Sequence, residues 1–520
     1  MQNTKIKQKT SVGAIFATIG LVALLFISFL GFFAAAWYVR VYGRIGFDSI
    51  LYTLTGGLGG VDQGLVKDFL LGGALPSVLC TTAVSLILFW WGKPLTVKGK
   101  KWLPMKKATA TAISLALCVC LLLHGAFNSQ LVDYVVAAFS ESELYETEYR
   151  DPENVAITFP KEKRNLIYIM LESMETSYQD TSLGGALEYN LIPELTQLAQ
   201  NNINFSHNDT VGGFREVTGA SWTVGAMVAH TAGVPLKVPD GIKDWQNGYG
   251  KDGEFLPGLN GLTGILKEQG YYQALMVGSD ANFGGRKTYF ETHGIDKVYD
   301  LYTAWYDGTV ERGYWNDWWG FEDEILFEYA KKELTKMADM DQPFAFTMLT
   351  VDTHHIGGYT CSLCGSNYEE SYENAIACAS KQVAEFVAWI QAQDFYENTT
   401  IVITGDHCSM DKGYFSRNVD EDYTRHVYNC FINAAATPQY TQNRKFSALD
   451  MFPTTLAAMG CKIEGERLGL GTNLFSNLPT LMERFGYNAL CNELSKKSDF
   501  YEESFYGEID YSTQPTESTQ

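Results

Sequence analysis

The residues of this chain best suited to chemistry stand at the ends of apolar runs. In Thr399–Ser409 (TTIVITGDHCS) a β-branched stretch stops at Asp406-His407, a carboxylate beside an imidazole. Three other runs stop the same way. Asn165–Leu171 (NLIYIML) ends in Glu172-Ser173, and Pro343–Val351 (PFAFTMLTV) ends in Asp352-Thr353-His354-His355. Tyr272–Val277 ends in Ser279-Asp280 and leads to Arg286. An apolar run bounded by turn residues reads as a buried strand of a parallel sheet, and ligands of such sheets sit beyond the carboxyl ends of the strands. Four polar strand ends on one edge read as an active site. Glu172, Asp406 and His407 form a donor set that suits Mn²⁺, Mg²⁺ or Zn²⁺. Such an ion would activate a hydroxyl and polarise a phosphoryl oxygen. Arg286 and His354 would meet phosphate oxygens, while His355 reads as structural or as a neighbour of the site. The nucleophile itself must be a hydroxyl. Thr218–Leu236 (TGASWTVGAMVAHTAGVPL) is rich in small residues ahead of a helix, and by chemistry alone Thr218, Ser221 and Thr223 all qualify.

Helical patterns alternate with the strand runs, over Ile192–Asn201, Leu259–Gln269, Glu322–Met337 and Glu370–Gln393. The alternation predicts an α/β fold, a mostly parallel central sheet with helices on both faces, over residues 164–495. Residues 128–163 read as a charged connector. Residues 496–520, acidic and Ser/Thr-rich, read as a flexible tail.

Upstream lie three uncharged apolar stretches long enough to cross a bilayer, Ser11–Val39, Phe69–Trp91 and Ala108–Phe127. Lysines precede the first (Lys5, Lys7, Lys9) and crowd between the second and third (Lys93, Lys98, Lys100, Lys101, Lys106, Lys107). By the positive-inside rule the amino terminus of this multi-pass cell-membrane protein is cytoplasmic and everything after Phe127 is outside. Residues 1–140 hold 12 basic and 4 acidic residues; the remainder hold 27 and 56, a net charge of −29. That balance argues against a nucleic-acid binder, which needs a basic face. Cys80, Cys118 and Cys120 lie in the spans and seven cysteines lie beyond them. Among the seven, Cys361-x-x-Cys364 has the spacing of a redox or zinc-binding pair, but with Cys378 nearby and no matching second pair the expectation is a disulfide pinning the loop after His354.

Six segments in order, NLIYIMLES, ASWTVGAMVAHTAGVPL, LTVDTHH, VITGDH, LDMFPTTLAAMG and RLGLG, resemble the phosphoglycerol transferases of the sulfatase/alkaline-phosphatase superfamily. By motif the glucan-decorating transferases are nearest and the lipoteichoic acid synthases more distant, and the resemblance covers about residues 160–475. It implies that Glu172, Asp406 and His407 hold one Mn²⁺ or Mg²⁺ and that Arg286 and His354 hold glycerol phosphate. Trp222 and His355 would stand beside them on the substrate side. It also implies a nucleophilic threonine that carries a covalent phosphoglyceryl group. Counting back from Gly233-Val234-Pro235 puts that threonine at position 220, which is Ala220 here. Three explanations follow: a deliberate substitution that traps a substrate complex, replacement by Ser221, or a non-catalytic lipid- or glycan-binding pseudoenzyme. The function implied is transfer of glycerol phosphate from phosphatidylglycerol to an envelope glycan or glycolipid, with release of diacylglycerol. The alternative is a phosphoethanolamine transferase. No Cys/Ser-x-Pro/Ala-x-Arg motif follows the first strand, which argues against a true sulfatase.

Overall fold

The computed structural model describes residues 12–42, 63–89, 95–97, 100–102, 106–237, 254–314 and 320–506. The chain divides into two units, residues 1–47 with 61–133 and residues 48–60 with 134–520. In the first unit, three helices are long and apolar enough to cross a membrane, Ile15–Tyr42, Val66–Leu88 and Lys107–Asn128. The first and third approach closely, for a Cβ on Gly125 would meet the Gly31 carbonyl at 3.2 Å. Small residues allow such approach between apolar helices. Lys5, Lys7, Lys9, Lys93 and Lys98, on which the expected orientation leans, lie outside the described residues.

The second unit is built on a seven-stranded sheet. In chain order its strands are β1 (Asn165–Leu171), β2 (Gly213–Phe214), β3 (Tyr272–Val277), β4 (Lys297–Tyr299), β5 (Phe344–Leu349), β6 (Thr399–Gly405) and β7 (Val427–Ile432). Their spatial order is β2-β7-β6-β1-β5-β3-β4. The five strands from β6 to β4 are parallel, and β7 and β2 add an antiparallel edge. The long runs are apolar throughout because both faces are covered. On β1, Leu166, Tyr168 and Met170 join one core while Ile167, Ile169 and Leu171 join the other. The first core takes helices α2 (Thr223–Ala232), α3 (Leu262–Glu268) and α6 (Met451–Ala458). The second takes α1 (Pro193–Asn201), α4 (Asp323–Ala338) and α5 (Ser371–Gln391).

Two expected boundaries change. Residues 134–163 belong to the second unit, and several of them anchor into it. Tyr145 is fully buried, Glu148 binds Arg467 and Arg484 at 2.8 and 2.7 Å, and Ile157–Thr158 pairs with Lys462–Ile463. The expected tail also begins too early. Residues Asp499–Phe505 form a helix whose Tyr501 and Phe505 are fully buried, with ring centroids 5.4 and 6.2 Å from that of Tyr145. Burial of such rings is worth roughly 1.5–3 kcal/mol each, which outweighs the acidity of the segment. Residues 507–520 lie outside the described residues.

Helix α2 is buried from Val224 to Ala232 and is fastened at two points. His230 Nδ1 and the Tyr168 hydroxyl of β1 are hydrogen bonded at 2.8 Å, and Thr231 Oγ1 meets the Tyr289 hydroxyl at 2.7 Å. Burial pushes the His230 pKa down to about 3, so the folded chain refuses a proton that the unfolded chain accepts below the ordinary histidine value. The contribution of neutral His230 to stability is therefore present above about 6.5 and is lost as pH falls towards about 3. The gap in thermal midpoint between the native chain and a His230→Gln variant should narrow between about pH 7.5 and about pH 5. A gap that stays constant would contradict this reading of the helix anchor.

Candidate active site

Strand register brings the two key carboxylates together. Strands β1 and β6 pair in parallel from Asn165↔Thr399 to Leu171↔Gly405, so the residues that follow, Glu172 and Asp406, emerge side by side. The Asp406 N–H donates to the Leu171 carbonyl at 3.1 Å, which carries the pairing one residue further. Gly405 is needed there, because a Cβ would lie 2.0 Å from the Met174 carbonyl oxygen. On the other side of β1, the Glu172 N–H donates to Thr350 Oγ1 at the end of β5, and Thr353 Oγ1 donates to the Glu172 carbonyl. Ser173 is turned into the left-handed region with φ 54°, a conformation that costs about 1–3 kcal/mol for such a residue. Two bonds to the site hold it there: its N–H donates to Asp406 Oδ1 at 2.8 Å and its hydroxyl to Glu172 Oε1 at 2.7 Å.

His407 completes the group. Its Nε2 is 3.6 Å from Glu172 Oε1 and 3.3 Å from Asp406 Oδ2, while Nδ1 is bonded to the Cys408 carbonyl at 2.9 Å. A carbonyl can only accept, so Nδ1 carries the proton and Nε2 is left to face the carboxylates. Burial alone would lower the His407 pKa, yet Asp406, Glu172 and Glu216 outweigh it and push it up to about 9. Burial, then Glu172, pushes Asp406 up to about 7. The cluster thus calls for positive charge. Asp406 Oδ2 is fully buried and accepts no hydrogen bond among the described residues. One donor atom from each of the three residues lies within 4.8 Å of the others. Two carboxylates and one imidazole so arranged fit a divalent cation.

The hydroxyl that meets this group belongs to Thr223, not to position 220. Thr223 Oγ1 donates to Glu172 Oε2 at 3.4 Å and lies 3.4 Å from His407 Nε2. It is the first residue of α2, whose amino end favours negative charge. Position 220, where the nucleophilic threonine was expected, offers a methyl group, and the hydroxyl near the three ligands stands three residues further on. Ala220 is buried in the preceding turn, its N–H donating to the Val217 carbonyl at 3.0 Å. Ser221 makes no hydrogen bond to the three ligands among the described residues, and Thr218 Oγ1 bonds the Cys491 carbonyl instead.

The other expected residues come from neighbouring strand ends. Arg286 is buried after β3, its guanidinium donating to Ser279 Oγ at 3.0 Å, the Asp280 carbonyl at 2.6 Å and the Phe283 carbonyl at 3.1 Å. His354 follows β5, with Nδ1 2.6 Å from the His355 carbonyl. Burial, helped by the positive charges of His407 and Arg286, pushes the His354 pKa down to about 4, and His355 is lowered by burial and His354. Both imidazoles are neutral at neutral pH. Trp222 precedes Thr223 and packs over Gly225, where a Cβ would come within 2.9 Å of the indole.

Two features gave no signal in the sequence. Glu216 accepts from the Cys408 N–H at 2.6 Å, and burial pushes its pKa up to about 7 beside His407. Glu175 and Arg425 form an ion pair that fixes the loop after His407: Ser409 donates its N–H to Glu175 and accepts from Arg425 at its carbonyl. Glu216 and Arg425 follow none of the four apolar runs, and Glu175 lies in the loop after Leu171 beyond Glu172-Ser173, so only the folded chain shows them around His407.

The sulfatase family model matches residues 164–461. The chain belongs to that family. A phosphoglycerol transferase I of Xanthomonas campestris pv. campestris is 32% identical over 338 residues, 64% of this chain and 45% of its own length. One from Salmonella choleraesuis is 28% identical over 447 residues, 82% of this chain and 53% of its own. The chain thus spans about half the length of the curated relatives it matches. Among solved structures, the integral membrane lipooligosaccharide phosphoethanolamine transferase A of Neisseria meningitidis is 14% identical with a TM-score of 0.48, covering 86% of this chain and 84% of that one.

Mn²⁺ at about 100 times its dissociation constant should stabilise the chain by about 2.7 kcal/mol, read as a rise in thermal midpoint. The rise should vanish in Asp406→Asn and in Glu172→Gln. An equal rise in Asp406→Asn would contradict the ligand assignment.

Proposed function

We propose that this chain is a phosphoglycerol transferase that uses Thr223 as its nucleophile. It takes glycerol phosphate from phosphatidylglycerol and passes it to a hydroxyl of an envelope glycan or glycolipid. The observation that carries the reading is the contact of Thr223 Oγ1 with both Glu172 and His407 at the start of α2. The names of the curated relatives supply the glycerol-phosphate class, and the three candidate membrane helices suit a lipid donor.

In the first half-reaction Thr223 Oγ attacks phosphorus, the phosphorus–oxygen bond to diacylglycerol breaks, and the proton given up by Thr223 is matched by the one the diacylglycerol oxygen takes. A hydroxyl of the acceptor then attacks the same phosphorus, the bond to Thr223 Oγ breaks, and the acceptor's proton is matched by the one that restores the threonine. Glu172, Asp406 and His407 would hold the Mn²⁺ or Mg²⁺, which when bound lowers the pKa of a nearby hydroxyl and offsets charge on phosphoryl oxygens. The amino end of α2 favours the negative charge that develops on Thr223 Oγ. Arg286 arrives pre-aimed, since three bonds to the β3 loop fix its fork before any donor binds. His354 spends its Nδ1 proton on the His355 carbonyl, so it would donate to a phosphoryl oxygen from Nε2 once the negative charge of the donor brings a second proton to the ring.

The test is release of diacylglycerol from labelled phosphatidylglycerol by the full chain with Mn²⁺, with phosphatidylethanolamine in parallel. Thr223→Ala should lose activity by roughly 10⁴-fold or more, as removal of a nucleophile does. Ser221→Ala should stay within about tenfold of the native chain, and Ala220→Thr should bring no gain. Activity that survives Thr223→Ala, or preference for the ethanolamine lipid, would overturn the reading.

A further inference from the structure

A second group of metal-ligating side chains lies outside the site just described. The loop after β5 carries Cys361 and Cys364, and α5 carries Cys378. In this structure all three thiols are free, and none is joined in the disulfide expected here. Instead Cys361 Sγ stands 3.7 Å from Cys364 Sγ and 3.8 Å from Cys378 Sγ, and the three sulfurs lie within 4.8 Å of one another. A disulfide joins two sulfurs at about 2.05 Å and leaves a third one out. A tetrahedral zinc ion with Zn–S bonds of about 2.3 Å sets its sulfurs about 3.8 Å apart. The two shorter separations match that edge.

The surroundings agree with thiolates. Gln382, one turn along α5 from Cys378, donates Nε2 to Cys378 Sγ at 3.3 Å and to Cys361 Sγ at 3.7 Å. Outer hydrogen bonds of this kind orient metal ligands. The Cys361-x-x-Cys364 turn is closed by the Cys364 N–H donating to the Cys361 carbonyl at 3.2 Å, which folds both sulfurs to one side. Cys361 and Cys378 are buried and Cys364 is half-buried, so the group has a way in from solvent.

The geometry points to a Zn²⁺ site formed by Cys361, Cys364 and Cys378, distinct from the catalytic group. Binding releases three thiol protons to solvent and forms three zinc–sulfur bonds, with water on the fourth corner. Its place in the fold gives it a role. Residues 352–364, which carry His354 at their start, leave β5 and are tied to α5 at the cysteines. The Tyr359 N–H donates to the Asp352 carbonyl at 2.7 Å and closes the near part of the same loop. Zinc staples the far end. An effect on donor binding through His354 rests on the transferase reading above; the metal site does not.

The probe is Co²⁺ added to the reduced, chelator-treated full chain in detergent. The expected result is a sulfur-to-cobalt charge-transfer absorption that zinc displaces, that persists in Glu172→Gln and that is lost in Cys364→Ser. Alkylation of the native chain gives a readout that needs no variant: zinc should protect half-buried Cys364 and chelation should expose it. Absence of the absorption, its survival in Cys364→Ser, or a disulfide among the three cysteines in unreduced protein by peptide mass analysis would overturn the proposal. Failure of the transferase assay with the cobalt signal intact would leave the zinc site standing.

Discussion

The structure depends on the parallel pairing of β1 with β6. Once Leu171 is opposite Gly405, the next residue on each strand must be a neighbour of the other, and those residues are Glu172 and Asp406. A slip of one residue would turn every side chain on one strand to the other face, and both faces here are core. The apolar alternation that fills two cores therefore also fixes the separation of two carboxylates. Packing sets the register and the register sets the chemistry.

Placing like charges together in a buried site is costly, and the surroundings show how the cost is met. Asp406 Oδ1 takes two N–H groups, from Ser173 and His407, and Arg425 offsets Glu175 beside the loop that follows. The remaining buried oxygen, Asp406 Oδ2, has no such donor among the described residues. That oxygen marks the point where a cation would sit. Opposite this point α2 presents Thr223, and its anchors lie at its far end, at Tyr168 and Tyr289. Thr223 is thus set by contacts roughly two turns away from it.

Much of this was legible in the sequence because it rests on pattern. The runs at 165–171 and 272–277 coincide with β1 and β3, and Glu172, Asp406 and His407, just past the ends of β1 and β6, bring donor atoms within 4.8 Å of one another. Position 220 came from counting back from Gly233-Val234-Pro235, and nothing in the run of small residues marks which one opens the helix; the fold opens it at Thr223. Chemistry alone had kept Thr223 among the candidates. The packing of residues 134–163 and 499–505 was hidden for another reason. Their acidic composition masks a few aromatic anchors, Tyr145, Tyr501 and Phe505, which meet only in three dimensions. Cysteine spacing suggested a covalent pair where the fold assembles three thiols.

The central claim is that Thr223 carries the phosphoglyceryl group. The most direct measurement is to incubate the chain with phosphatidylglycerol and Mn²⁺ without acceptor, quench in acid, and locate the adduct by fragment-ion mass spectrometry of the digested protein. A phosphoglyceryl group on Thr223 is the predicted result. The same group on Ser221 or Thr218, or no adduct while diacylglycerol accumulates, would contradict it.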